Sequence, residues 1–241
     1  MSEIRVARAD DGAGVAAIYD PIVRDTAISF EVDPPGEAEM RRRIVATLDA
    51  HPWLVCVDGK EADERSADAQ RGVAERRSHR PAERRPGARA RASSGREGPA
   101  RRSRVRGYVY ASRHHERAAY RWSADVTVYV REDSRGRGVG TALYTALLAL
   151  LARQGYRQAY AGITLPNAGS VALHESQGFR RIGVFEDVGW KLGAWHSVGY
   201  WGRELVPAAA VPPEPLPFAK LRHDPALADL LARGAATLSR P

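Results

Sequence analysis

The chain has 241 residues, 44% of them hydrophobic, and its 37 Lys and Arg against 29 Asp and Glu give a net charge of +8. This length can bury a full core, which excludes a small disulfide-stapled scaffold. The longest apolar run falls well short of the ~20 residues that a membrane span needs, and the N-terminus has no apolar signal core. We therefore expect a cytoplasmic protein without a membrane segment. The lone Cys56 lies in an apolar strand-like run and is interpreted as a buried thiol.

The positive charge is concentrated in one segment. Residues 60–106 contain 15 basic and 7 acidic side chains, a difference equal to the net charge of the whole chain. The segment has almost no large apolar residue and is predicted to be disordered. It is either a solvated insertion without a selected role or an arm that attracts phosphate-bearing partners. Because no aromatic rings alternate with its arginines, nucleic-acid binding is the less favoured interpretation.

The first half of the chain predicts strands and helices in alternation. In chain order these are a strand, a helix, a strand, a helix and a buried strand, around residues 4–6, 16–19, 28–32, 37–48 and 53–57. Asp58-Gly59 is a hairpin turn signal, yet the returning strand, 107–111, begins only after the basic segment. That segment is therefore predicted to be an insertion at a hairpin tip, where added length costs little closure entropy.

The second half continues this mixed pattern. It predicts a strand at 122–130, a helix at 142–154 that ends at Gly155, a strand at 158–164 and a short helix at 170–177. Two further strands, at 182–187 and 199–205, are predicted to flank a loop at 191–196. The pattern indicates an α/β (α+β) domain over 1–206, built on one sheet. A proline-rich tail with a weak helix at 225–236 follows over 207–241.

One motif carries chemistry. Arg135-x-x-Gly138-x-Gly140 follows a strand and opens a helix, and unpaired N–H groups at a helix N-terminus bind phosphate where glycines allow close approach. Taken alone, the motif also fits an ordinary strand-to-helix connection. The chain lacks the Walker lysine and the three-glycine dinucleotide fingerprint at this place.

The motif is similar to that of the GNAT acetyltransferases. Three further blocks resemble the phosphinothricin N-acetyltransferase branch of that family, at residues 122–130, 165–175 and 189–203. The resemblance covers 3–59 and 107–206. It implies a mixed central sheet flanked by helices, acetyl-CoA as co-substrate and a homodimer.

The resemblance also implies site residues. The cofactor-binding residues are Val128, Tyr129, Val130, Arg135, Gly136, Arg137, Gly138, Val139, Gly140, Thr141, Asn167 and Ser176. The loop from 135 to 141 would hold the pyrophosphate, and the backbone of 128–130 would donate to the thioester carbonyl. No covalent acyl-enzyme and no metal ion are required.

Acetyl transfer to an amine needs a group that removes the ammonium proton. Asp125 and His174 are the candidates, because a carboxylate or an imidazole performs this step in enzymes. The family has a glutamate where Asp125 stands, so the shorter side chain is expected to act through a water. The alternatives are a strand-end carboxylate facing solvent and a histidine on a helix surface.

For the acceptor, the resemblance places Phe30, Arg117 and Tyr120 near the substrate, with Arg117 able to pair with a carboxylate or phosphinate. His114 and His115 are expected to face solvent. Three aromatic residues are expected to line either the acceptor pocket or a dimer interface: Trp195, Tyr200 and Trp201.

The sequence thus predicts an N-acetyltransferase that moves acetyl from acetyl-CoA to the α-amine of a small amino acid or analogue, such as phosphinothricin or methionine sulfone or sulfoximine. The alternative is a non-catalytic protein of the same fold whose basic insertion binds nucleic acid or acidic partners. Salt-dependent nucleic-acid binding that requires 60–106 would favour the alternative.

Overall fold

The computed structural model describes residues 2–59 and 105–238. The strands are β1 Glu3–Val6, β2 Trp53–Val57, β3 Val105–Arg113, β4 Ser123–Val130, β5 Gln158–Leu165, β6 Arg180–Lys191 and β7 Ala194–Glu204. The helices are α1 Gly12–Asp25, α2 Gly36–Ala50, α3 Val139–Gln154, α4 Ala168–Ser176, α5 Phe218–Leu221 and α6 Ala226–Ala236. In these two ranges no helix is long and apolar enough to cross a bilayer.

A seven-stranded sheet in the order β1-β2-β3-β4-β5-β7-β6 forms the middle layer. All five residues of β2 are buried, because helices cover the sheet here on both faces. On one face α3 packs so closely that a Cβ on Gly107 would lie 2.9 Å from Val139 Cγ1. On the other face, α1 and α2 cover a cluster of rings in which Trp53 stacks on Tyr110 at 4.4 Å. The predicted mixed fold is confirmed.

The sheet opens between its two parallel strands. All other neighbouring strands are antiparallel, whereas β4 and β5 run parallel and pair at only three positions, which end at Asp125 and Tyr160. Beyond this point β4 continues beside β3, and β5 continues beside β7. The last residues of β4 therefore border a gap in the sheet rather than a paired strand.

The basic insertion falls largely outside the described residues. Positions 60–104 are not described, so the prediction of disorder there stays a prediction. Its last two residues belong to β3, since Val105 pairs with Val57 across the hairpin. The two strands that flank the insertion pair antiparallel, as the turn signal predicts.

Two predicted elements are wrong. The predicted strand at 28–32 is a loop, because its backbone carbonyls accept from the side chains of Thr164 and Lys191 and do not belong to a strand ladder. The predicted loop at 191–196 is mostly strand: β6 and β7 continue to a two-residue turn at Leu192-Gly193, where both residues have positive φ. Helix α3 also begins at Val139, three residues before the predicted start.

The C-terminal tail docks on the domain. Helix α6 packs against α3 and β1, and Phe218 and Leu221 of α5 are buried in the core. The closest approach of α6 to α3 is at Gly234, where a Cβ would lie 2.5 Å from the Ala142 carbonyl oxygen and 2.9 Å from Ala146 Cβ. The sequence left this docking open.

Replacing Gly234 by Ala is expected to lower the free energy of unfolding by about 1–3 kcal/mol, because the added methyl group meets the backbone of α3. Gly169→Ala is the matched helical control, since a Cβ there meets nothing within 4 Å. Denaturant unfolding of both variants checks this. Equal stability of the two variants would contradict the close packing of α6.

Candidate active site

The glycine-rich loop ends at the N-terminus of α3. Gly136 and Gly138 have φ of 70° and 74°, a left-handed conformation that glycine adopts without strain. Gly138 is the N-cap of α3, so the first N–H groups of that helix lack partners within the helix. A Cβ on Gly140 would lie 2.8 Å from Leu173 Cδ2, so this glycine allows α3 and α4 to approach each other.

These groups line a groove of about 470 Å³. Its other walls come from the end of β4, the start of α4 and the loop from 26 to 35 that joins α1 and α2. Ten of the residues predicted to bind the cofactor line it: Val128, Tyr129, Val130, Arg135, Gly136, Gly138, Val139, Gly140, Thr141 and Asn167.

Two predicted cofactor residues are not among the groove-lining side chains. Arg137 lies between the two glycines of the loop, and its side chain is exposed. Ser176 is exposed near the end of α4 and donates its hydroxyl to the Leu173 carbonyl of its own helix at 2.7 Å. Asn167 lines the groove and also caps α4, since its Oδ1 accepts the Ser170 N–H at 3.1 Å.

A small cavity of about 50 Å³ continues from the groove into the gap between β4 and β5. It shares Val128 and Asn167 with the groove and adds Thr127, Tyr144 and His174. The cavity and the groove together form a path from the N-terminus of α3 to the point where the sheet opens.

His174 lies beneath this cavity and is buried. Its Nδ1 is 2.7 Å from the Ser170 carbonyl oxygen, so that nitrogen carries a proton, and its Nε2 lies 2.7 Å from the Tyr144 hydroxyl. Burial lowers the pKa of His174 below its usual value. The imidazole is therefore neutral and accepts the Tyr144 hydroxyl proton, so both of its nitrogens are occupied. The alternative of a surface histidine is wrong.

Asp125 is half-buried, at the last position where β4 pairs with β5. Its Oδ1 lies 2.7 Å from Nδ1 of His114, a residue in the bend after β3. Burial raises the pKa of Asp125 above its usual value, and the hydrogen bond to His114 partly offsets this effect. The expectation that His114 faces solvent is wrong, because its side chain is only 19% exposed.

The predicted acceptor residues lie on two separate elements and line neither the groove nor the small cavity. Phe30, in the α1–α2 loop, places its ring over Gly189 of β6, where no Cβ would fit. Tyr120 lies in a short helical turn after β3, with its ring edge-on to that of His114 at 5.9 Å. Arg117 begins the same turn, and its side chain is exposed.

Lys191 ties the α1–α2 loop to the β6–β7 hairpin. Its side chain is 7% exposed, and Nζ donates to the carbonyl oxygens of Val23 and Ser29, each at 2.6 Å. Desolvation by burial lowers the pKa of this ammonium. The opposite side of the loop is fixed by Glu31, which accepts two hydrogen bonds from Arg43 of α2. The loop that lines the groove is thus held on both sides.

Sequence reasoning gave no structural role to three residues of this region. His114 was expected to face solvent, Lys191 entered only as part of the block 189–203, and Tyr144 was not singled out; their contacts alone reveal what they do. Trp201 is 2% exposed and donates its indole N–H to Glu175 Oε1, so neither predicted role fits it. Cys56 is fully buried and burial raises its pKa to about 11, as expected of a core thiol. Clusters of three or more His, Cys, Asp or Glu suited to a metal do not occur among the described residues.

Comparison with known proteins agrees with this geometry. Residues 68–179 match the model of the acetyltransferase (GNAT) family. The chain belongs to the GNAT family of acetyltransferases, as the resemblance predicts.

Within the family, the chain is similar to phosphinothricin N-acetyltransferases. It is 31% identical over 215 residues to that of Streptomyces viridochromogenes, covering 89% of this chain and 92% of the relative. With that of Streptomyces coelicolor it shares 37% over 205 residues, covering 84% and 96%. Among solved structures, it is similar to a phosphinothricin acetyltransferase from Sinorhizobium meliloti in complex with acetyl-CoA, with a TM-score of 0.67, 27% identity and coverage of 88% and 92%.

Replacing Lys191 by Met is expected to free the α1–α2 loop, because two carbonyl groups lose a buried donor. The free energy of unfolding falls by about 1–3 kcal/mol, and amide hydrogen exchange at residues 26–31 becomes faster. Lys220→Met, at an exposed position of α5, is the matched control. Unchanged exchange at 26–31 in the Lys191 variant would contradict the anchoring role.

Proposed function

We propose that the protein transfers an acetyl group from acetyl-CoA to the α-amine of a small amino acid or analogue, by direct attack within a ternary complex. Phosphinothricin, methionine sulfone and methionine sulfoximine are the acceptors that we favour. The similarity to phosphinothricin N-acetyltransferases over most of both chains supports this class of acceptor.

The observation that carries the proposal is the continuous path from the groove to the opened sheet. The groove begins at a helix N-terminus, which attracts the negative charge of phosphate groups. It ends between β4 and β5 at Val126, the residue that follows Asp125 along β4. An acyl donor with phosphates at one end and a reactive carbonyl at the other fits such a path.

The residues of the groove fit acetyl-CoA in particular. The N–H groups at the start of α3 and the side-chain-free Gly136 and Gly138 would hold its pyrophosphate, and acetyl-CoA supplies the activated thioester carbonyl. The backbone of 128–130, which β5 does not pair, is available to donate to oxygen in the gap. Such donors stabilise the charge that develops on a carbonyl oxygen under attack.

At the acceptor side, the site must bind a carboxylate and accept a proton. Arg117 can form a charge-assisted pair with the acceptor's carboxylate, and the rings of Phe30 and Tyr120 would supply apolar surface to the acceptor. The ammonium proton leaves at the Asp125 end of the site, where burial favours proton uptake. The neutral amine then forms the C–N bond while the C–S bond breaks. The nitrogen gives up its second proton, and the departing thiolate takes up that proton through water.

His174 serves a different purpose in this proposal. Both of its nitrogens are occupied, so it is a poor acceptor for the ammonium proton. Its bond to Tyr144 fixes the hydroxyl beside the small cavity and so shapes the gap. We therefore assign His174 as a positioning residue.

The decisive experiment measures CoA release from acetyl-CoA with phosphinothricin, methionine sulfone, methionine sulfoximine and the twenty amino acids as acceptors. We expect turnover with the analogues. Asp125→Asn is expected to lower kcat by about 10²-fold or more, because the proton-accepting end is lost, with the KM for acetyl-CoA unchanged. Asp229→Asn, exposed on α6, is the control. Acetyl-CoA binding with no turnover on any acceptor would contradict the proposed acceptor class.

We also propose that two copies of the chain pair through the β6–β7 hairpin. Six large apolar side chains of this hairpin are more than half exposed: Ile182, Phe185, Val188, Trp190, Leu192 and Trp195. An apolar patch of this kind marks an interaction site, and the resemblance to a homodimeric family favours a second copy.

Light scattering after size exclusion should therefore give the mass of a dimer, and replacing Trp190 and Trp195 by Ser should give a monomer. Val211→Ser, at a residue 87% exposed outside the hairpin, should leave the mass unchanged. A wild-type mass of one chain would contradict the proposal.

A further inference from the structure

The carboxylate of Asp125 already has a partner in the protein. Its Oδ1 is 2.7 Å from His114 Nδ1, and an ionised carboxylate only accepts hydrogen bonds. His114 therefore donates from Nδ1. In the neutral ring the second nitrogen, Nε2, then carries the free lone pair. Among the residues that the structure describes, no hydrogen bond occupies that nitrogen.

Aromatic contacts fix the plane of this imidazole. It stacks on Tyr160 of β5 with ring centroids 4.4 Å apart and an interplanar angle of 26°. The rings of His115 and Tyr120 cover it from the following bend, at 4.2 Å and 5.9 Å. The hydrogen bond to the carboxylate and the three neighbouring rings hold the imidazole in one orientation.

The surroundings of His114 point to the acceptor. The bend after β3 carries Arg117 and Tyr120, the two residues expected to bind the acceptor on this side of the gap. Tyr120 contacts the His114 ring, and the imidazole extends from Asp125 toward this turn. An ammonium group bound at this turn would lie near the imidazole and near the carboxylate that holds it.

We propose that His114 accepts the proton of the acceptor's ammonium group and that Asp125 is the positioning residue that holds its imidazole, a proposal that rests on the proposed function. The N–H bond of the ammonium breaks and its proton moves to Nε2. The freed lone pair of the amine attacks the thioester carbonyl. Asp125 stabilises the imidazolium, which later releases the proton to solvent, as in triads where a buried carboxylate orients a histidine.

Kinetics of variants test the assignment. His114→Phe retains a ring to stack on Tyr160 but has no nitrogen, and we expect kcat/KM for the acceptor to fall by about 10²-fold or more, with the KM for acetyl-CoA within about twofold. For His114→Ala we expect a similar loss of kcat/KM for the acceptor, and added imidazole should restore part of the lost rate. His223→Gln, at an exposed histidine of the tail, is the matched control.

The effects of replacing His114 and Asp125 should also not be additive. Asp125→Asn combined with His114→Phe is expected to be no slower than the slower single variant, because removing either partner already disables the other. A His114→Phe enzyme within threefold of the wild-type rate, or a double variant whose loss is the product of the two single losses, would overturn the proposal.

A measurement that does not depend on turnover tests the His114–Asp125 pair separately from the proposed acetyl transfer. Nitrogen-15 NMR of the imidazoles should find His114 protonated at Nδ1 and not at Nε2 in the wild type, and altered in Asp125→Asn. Protonation at Nε2 in the neutral wild-type ring overturns the pairing whatever the acceptor. If the His114 ring is protonated at Nδ1 but no acceptor in the panel is acetylated, the result supports the pair and contradicts the acceptor class.

Discussion

The separation of β4 from β5 is the constraint on which the site depends. Two parallel strands that pair at only three positions leave the far half of β4 without a neighbour on one side. Backbone groups inside a protein need partners, so such a gap persists only where a ligand or water can supply them. Helix α3 begins beside the end of β4, and α4 follows β5 directly. The gap therefore lies between two helix N-termini, and the groove is a consequence of the chain order of these elements.

The α1–α2 loop shows how the remaining wall of the groove is made. Its alternating sequence resembles a strand, yet Ile28 and Phe30 are 41% and 39% exposed while the small Ser29 between them is buried. Side chains from three other elements hold it: Lys191 of β6, Arg43 of α2 and Tyr19 of α1. Because Lys191 reaches across from the hairpin, the wall of the groove and the exposed apolar face of β6 and β7 belong to one connected unit.

Local patterns account for most of the elements that were predicted correctly. The apolar spacing of 142–154 and Gly155 with φ of 93° define α3 and its end. The buried run 53–57 and the β-branched run around 126 define strands that long-range pairing then confirms. The errors occur where backbone bonds come from distant residues. The strand predicted at 28–32 has no neighbour to pair with, and the loop predicted at 191–196 pairs because β6 and β7 form a long hairpin.

By itself the sequence determined the class of protein, the glycine-rich loop and most of the groove, because these depend on a contiguous motif and on residues close to it in the chain. Tertiary structure alone decided how the polar residues pair. Lys191 contacts carbonyl groups more than 160 positions away, and Tyr144 meets His174 across two helices. His114 and Asp125 are 11 positions apart and come together only because β3 and β4 are adjacent antiparallel strands. Side-chain partnership is a property of position in space, which no local pattern encodes.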